Sequence, residues 1–127
     1  MPTNNHSSRR PAFIKYWLPV IIYAIIIFSA SSIPGRAIPG IFEYQDTIFH
    51  FFEYAVLAVL LSRAFKGTVP GVVRGRRFYL VFVFSLLYAL SDEAHQFFVP
   101  GRTASLYDIA VDALGALAGS ALYLWRK

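Results

Sequence analysis

The chain has no cysteine, which excludes disulfide bonds and thiolate metal sites and leaves its redox compartment unmarked. Charge is also scarce: Asp, Glu, Lys and Arg make up 15% of the 127 residues, and only 7 residues are acidic. No internal repeat and no low-complexity segment is evident. What dominates is apolar surface. At 57% hydrophobic residues and a mean hydropathy of +0.52, the chain is too greasy for an ordinary soluble domain and reads as one membrane domain.

The formal charge of +5 fits either nucleic acid or anionic lipid, and position decides between them. The basic residues flank apolar runs and form no continuous stripe. Lipid headgroups and topology account for them, and a nucleic-acid partner is not expected.

Residues 1–11 are polar, carry Arg9 and Arg10, and read as a cytoplasmic tail ahead of a membrane domain over 12–127. The run 12–30 is nearly all apolar, and at about 1.5 Å per residue it reaches the roughly 30 Å of a hydrocarbon core. A cleaved signal peptide is the competing reading of this first span, since basic residues, a short apolar core and Ser29 to Ser32 suit that pattern too. Two Pro-Gly pairs in 31–45 predict a loop.

Asp46 then opens a second span, 47–65, as its expected N-terminal cap. Asp46, His50 and Glu53 fall at i, i+4 and i+7, on one helical face that Tyr54 borders. A short basic loop leads to a third span, 78–98, whose last turns carry Asp92, Glu93, His95 and Gln96 before Pro100-Gly101 stops it. Ser105 with Asp108 three residues on suggests a capping box for a fourth span, 105–125. In that span Asp108, Asp112, Gly115 and Gly119 share a face, and the GxxxG lets another helix backbone approach closely, within the bundle or between protomers of a homo-oligomer.

Of the 12 Lys and Arg, all but Arg36 and Arg102 lie in the tail, in the loop between spans two and three, at the C-terminus, or at the adjoining span ends. The positive-inside rule then places both termini in the cytoplasm of a cell-membrane protein. The predicted fold is an all-α integral membrane four-helix bundle. Every acid except Glu43 belongs to the extracytoplasmic ends of spans two, three and four, which predicts one polar chamber facing outward under the two outer loops.

These residues resemble the VanZ-like family of small membrane proteins, named for teicoplanin resistance. The matching features are Ser31-Ser32 with Pro34, the D-x-x-x-H-x-x-x-Y of Asp46, His50 and Tyr54, the block from Ser91-Asp92-Glu93 through His95-Gln96 to Pro100-Gly101-Arg102, then Ser105, Asp108, Gly115 and Gly119. Two positions depart from the pattern: Thr47 stands where the family commonly has lysine, and Asp112 where it often has asparagine. The resemblance implies an integral membrane protein that affects susceptibility to glycopeptide or lipoglycopeptide antibiotics, a phenotype and not a reaction.

Three readings of the polar cluster follow. In the first, the groups only pack helices together, since interhelical polar contacts contribute about 0.6 kcal/mol on average. In the second, the excess of carboxylates over the single Arg102 holds a divalent metal, with Asp46, His50 and Asp92 as its ligands. Hydrolysis or transfer on a lipid-linked phosphate of the envelope would then use Glu93, His95 and Glu53 for acid–base work. Arg102, Gln96, Asp108 and Asp112 would hold the substrate. The third reading is binding without turnover, in which the chamber takes a headgroup or an amphiphilic glycopeptide, with Phe97, Phe98 and Tyr107 at the interface. A proton-coupled transporter is disfavoured because no acid continues into the cytoplasmic half.

Overall fold

The computed structural model describes residues 6–126. It consists of helix α1 (His6–Ser31), a single 3-10 turn at Gly35–Ala37, and helices α2 (Gln45–Thr68), α3 (Arg74–Gln96) and α4 (Leu106–Trp125). No strand occurs among the described residues, so the fold is all-α. Three helices, α1 from Arg10 onward, α2 and α4, are long and apolar enough to cross a membrane. The fourth does not join them on that criterion: α3 opens with Arg74, Arg76 and Arg77 and closes with Asp92 and Glu93. Four spans were expected from the sequence, and length and composition support three.

Several local expectations are corrected. The backbone of α1 is helical from His6, well inside the stretch read as a tail, because extending an existing helix adds one hydrogen bond per residue fixed. The remainder of that tail, residues 1–5, lies outside the described residues. Asp46 does not cap α2. The helix starts at Gln45, two residues before the expected start, and the capping position is Tyr44, left-handed at φ 59° and without a side-chain cap bond. Gln45 organises this entrance instead. Its Oε1 accepts from the Ile41 N–H at 2.7 Å, and its Nε2 donates to the Pro39 carbonyl at 2.7 Å.

The capping box at α4 is half right. Ser105 Oγ accepts from the Tyr107 N–H at 3.1 Å, as an N-cap should. Asp108 does not return the bond, because the Ser105 N–H already donates to Glu93 Oε2 at 2.9 Å. A carboxylate from the preceding helix has displaced the local one.

Helix α2 is the hub of the bundle, touching all three others, with α4 its most extensive partner; α1 and α4 make no contact. Its inward residues Tyr54, Leu57, Ala58, Leu61, Ala64 and Phe65 repeat at three and four positions and pack on Val20 and Ile27 of α1, Val81 and Ala89 of α3, and Ala116 of α4. Outward residues of α1 such as Ile21, Ile22, Ile25 and Ile26 are about half exposed, the face a lipid-surrounded helix presents. The glycine pair of α4 packs inside the bundle. A Cβ on Gly115 would lie 2.2 Å from the Phe51 carbonyl oxygen, and one on Gly119 2.1 Å from that of Ala55. Only hydrogen fits there.

The opposite ends of the bundle differ in chemistry. At one end, Trp17 Nε1 donates to Thr68 Oγ1 at 3.0 Å, and the Arg63 guanidinium sits 4.8 Å from the centre of the Tyr16 ring. At the other end the connections α1–α2 and α3–α4 meet. The Gly35 N–H donates to the Pro100 carbonyl at 3.0 Å. Pro100 and Gly101 (φ 75°) form the centre of a tight turn closed by Arg102 N–H to Val99 C=O at 3.1 Å, where proline followed by a positive-φ glycine is the favoured order. Gly35 and Gly101 are pressed together so closely that a Cβ on Gly35 would fall 2.0 Å from the Gly101 oxygen. Two Pro-Gly pairs, far apart in sequence, form one roof.

Candidate functional site

Beneath this roof, α2 supplies His50 and Glu53, α3 supplies Asp92, Glu93 and Gln96, and α4 supplies Asp112. A cavity of about 150 Å³ is lined by Ser31, His50, Glu53, Asp92, Gln96 and Arg102 among others. A second recess of about 300 Å³ runs under the roof itself, bounded by Gly35, Gly101, Thr103 and Asp108. The two share His50, Gln96, Asp46 and Arg102 in their walls, so Arg102 stands between an inner polar pocket and the surface. Its guanidinium also reaches the Ile33 carbonyl at 3.4 Å.

The shortest polar contact in the cluster joins His50 Nδ1 to Asp112 Oδ1 at 2.8 Å, with both residues buried. A carboxylate can only accept, so Nδ1 carries the proton and, in the neutral ring, Nε2 keeps its lone pair. This carboxylate-oriented imidazole has the arrangement found where a histidine acts as a base or binds a metal. The remaining oxygens are less well served. Asp112 Oδ2, Glu93 Oε1 and Asp92 Oδ1 are buried without a hydrogen-bond partner among the described residues, as is the hydroxyl of the fully buried Tyr54. Buried polar atoms are nearly always satisfied, so each of these calls for an account.

The residues singled out from the sequence are partly assembled and partly dispersed. His50, Glu93 and Asp112 each offer a donor atom within 4.8 Å of the others, a set that shares only His50 with the metal ligands expected from the sequence. Asp92 is buried close by on the cavity wall, whereas Asp46 is exposed at its edge. Glu53 and Gln96 line the inner cavity, and Asp108 faces the outer recess.

His95 is turned away from the chamber toward α1. Its ring stacks on Phe28 at 4.2 Å between centroids, and its Nε2 lies 2.9 Å from Ser32 Oγ. The Ser32 hydroxyl donates to the Phe28 carbonyl at 2.7 Å, so Nε2 must be the donor to Ser32. Glu93 and His95 are two residues apart on α3 and so point to nearly opposite sides, about 200° around the helix, which is why Glu93 meets α4 while His95 meets α1.

The partnership of His50 and Asp112 was missed in the sequence. The signal available was that both lie one to two turns in from the start of their helices, but which acid faces which histidine depends on helix rotations that a sequence does not fix. Tyr54, which in the sequence borders the acidic face and completes the D-x-x-x-H-x-x-x-Y pattern, is the most buried large side chain at this level.

No curated protein and no solved structure matches the chain. The VanZ/LLP1 family does, over residues 13–127. That match takes in most of α1, all of α2, α3 and α4, the Pro-Gly roof and every residue of the chamber, and on it the chain belongs to the VanZ/LLP1 family.

Proposed function

We propose that this protein is a multi-pass envelope membrane protein with four spans and both termini cytoplasmic, which alters susceptibility to glycopeptides by recognising the polar head of an amphiphile in its outward chamber. The observation carrying this reading is the position of Arg102. It is the cation in the walls of both cavities, placed between the buried acids and the surface, and its planar fork suits a carboxylate or phosphate. Close by in sequence, Phe97, Phe98, Leu106 and Tyr107 are each more than half exposed, a group suited to the lipid interface and to an acyl tail. Lipid-linked wall precursors and acylated glycopeptides share this chemistry of polar head and apolar tail.

Susceptibility of cells expressing the protein, measured with an acylated and a non-acylated glycopeptide, tests the proposal. Arg102→Ala and the double change Phe97→Ala, Phe98→Ala should each abolish protection against the acylated compound at unchanged protein level. Full protection from both variants would sink it.

A second reading, acid–base chemistry on a lipid-linked phosphate, is favoured by the His50–Asp112 pair. The base would then be His50 in place of His95, whose ring is engaged by Phe28 and Ser32. Loss of protection in Asp112→Asn with headgroup binding intact would favour turnover over binding.

A further inference from the structure

We infer that His50, Glu93 and Asp112 form a binding site for one first-row divalent cation where α2, α3 and α4 meet. One ring nitrogen and two carboxylate oxygens lie within 4.8 Å of one another, a spread that closes onto a single ion with side-chain adjustments of the order of an ångström, since ligand bonds are about 2.0–2.2 Å. Two further observations point to a ligand. Asp112 Oδ2 and Glu93 Oε1 belong to side chains at least nine-tenths buried and have no hydrogen-bond partner. Glu93 is held through its other oxygen, Oε2, by the Ser105 N–H, and Asp112 through Oδ1 by His50 Nδ1; on binding, the ring proton moves to Nε2 and the ion takes its place at Nδ1, between His50 and Asp112.

Charge favours the same conclusion. Two carboxylates and a neutral imidazole carry two negative charges, which a divalent ion cancels. Among the described residues no lysine or arginine forms an ion pair with either carboxylate. Uncompensated buried charge is expensive in a membrane interior. One nitrogen and two hard oxygen donors suit zinc, manganese or ferrous iron. The set comes from three different helices, so the ion would tie α2, α3 and α4 together at their outer ends. This inference is independent of what Arg102 binds.

The test is metal uptake by the full chain, purified in detergent without a histidine tag and dialysed against Zn²⁺ or Mn²⁺ in turn. Elemental analysis should find close to one ion per chain, and thermal unfolding should move upward with the metal and back with a chelator. Glu93→Gln and Asp112→Asn keep an acceptor oxygen for Ser105 and His50 while removing the charge. Each should weaken uptake by roughly 10-fold or more, the scale on which even outer partners of a metal matter. Asp46→Asn should leave uptake unchanged. The assignment is overturned if the folded native chain takes up neither ion, which would leave protons as the neutralising species. It is equally overturned if uptake falls in Asp46→Asn and survives in Glu93→Gln. Retained glycopeptide protection in a metal-free chain would bear only on the function proposed above.

Discussion

Gly115 lies so close to Phe51 that any side chain on it would enter the Phe51 carbonyl oxygen, and Gly119 stands in the same relation to Ala55 one turn on. Helices α2 and α4 therefore meet backbone to backbone, and this contact sets the depth and rotation at which Asp112 reaches His50. Gly115→Ala or Gly119→Ala should force the helices apart at a cost of about 1–3 kcal/mol, the usual penalty of overpacking. Denaturant-induced unfolding in detergent would measure it. The double change should cost more than either single one and should weaken the His50–Asp112 bond.

Removing one member of a buried hydrogen-bonded pair leaves the other unsatisfied. Asp112→Ala should destabilise the fold by about 1–3 kcal/mol, and Asp112→Asn by less. A double-mutant cycle with His50→Gln should return a coupling on the order of 0.5–3 kcal/mol. Additive losses would mean that the 2.8 Å contact contributes nothing of its own.

The absence of cysteine makes topology directly measurable, since any introduced thiol is the only one. Arg36, Arg76 and Thr103 are all exposed. A membrane-impermeant maleimide applied to intact cells should label Arg36→Cys and Thr103→Cys and should reach Arg76→Cys only after permeabilisation. Labelling of all three from outside would show that α3 does not separate the two loops.

The roof is testable in the same way. Ser31 is buried on the cavity wall at 3% exposure, so Ser31→Cys should react slowly. Adding Gly35→Ala puts a methyl into the Gly101 carbonyl and should speed the reaction severalfold by parting the two turns. An unchanged rate would mean that the roof does not control access to the chamber.

Much of the fold was legible because hydropathy and the helical repeat are local signals. Apolar runs located the helices, and the i, i+4 glycines marked a close face of α4. Tertiary competition obscured the rest. The Ser105 and Asp108 spacing is a sound local signature, yet Glu93 from α3 takes the Ser105 N–H. Asp46 precedes an apolar run as a cap would, yet the side chain of Gln45 ties the loop and moves the helix start. For α3, the charges that mark its site also lower its hydropathy, so the feature that drew attention to the helix weakened its reading as a span. At the site, the sequence put these carboxylates at the same ends of α2, α3 and α4, but it could not say that Asp112 and Glu93, rather than Asp46 and Asp92, would bring donor atoms within 4.8 Å of that of His50.

The bond from Glu93 to the Ser105 N–H bridges only 12 positions, whereas that between His50 and Asp112 bridges 62. Closing a short segment costs less chain entropy than closing a long one, so the corner between α3 and α4 can form as soon as both helices exist. The pair would then reach α2 as a ready hairpin. α3, the helix least able to stay in lipid alone, has α4 as a companion from the start, and the buried acids come together last, when the finished hairpin docks and the glycines of α4 find the carbonyls of α2.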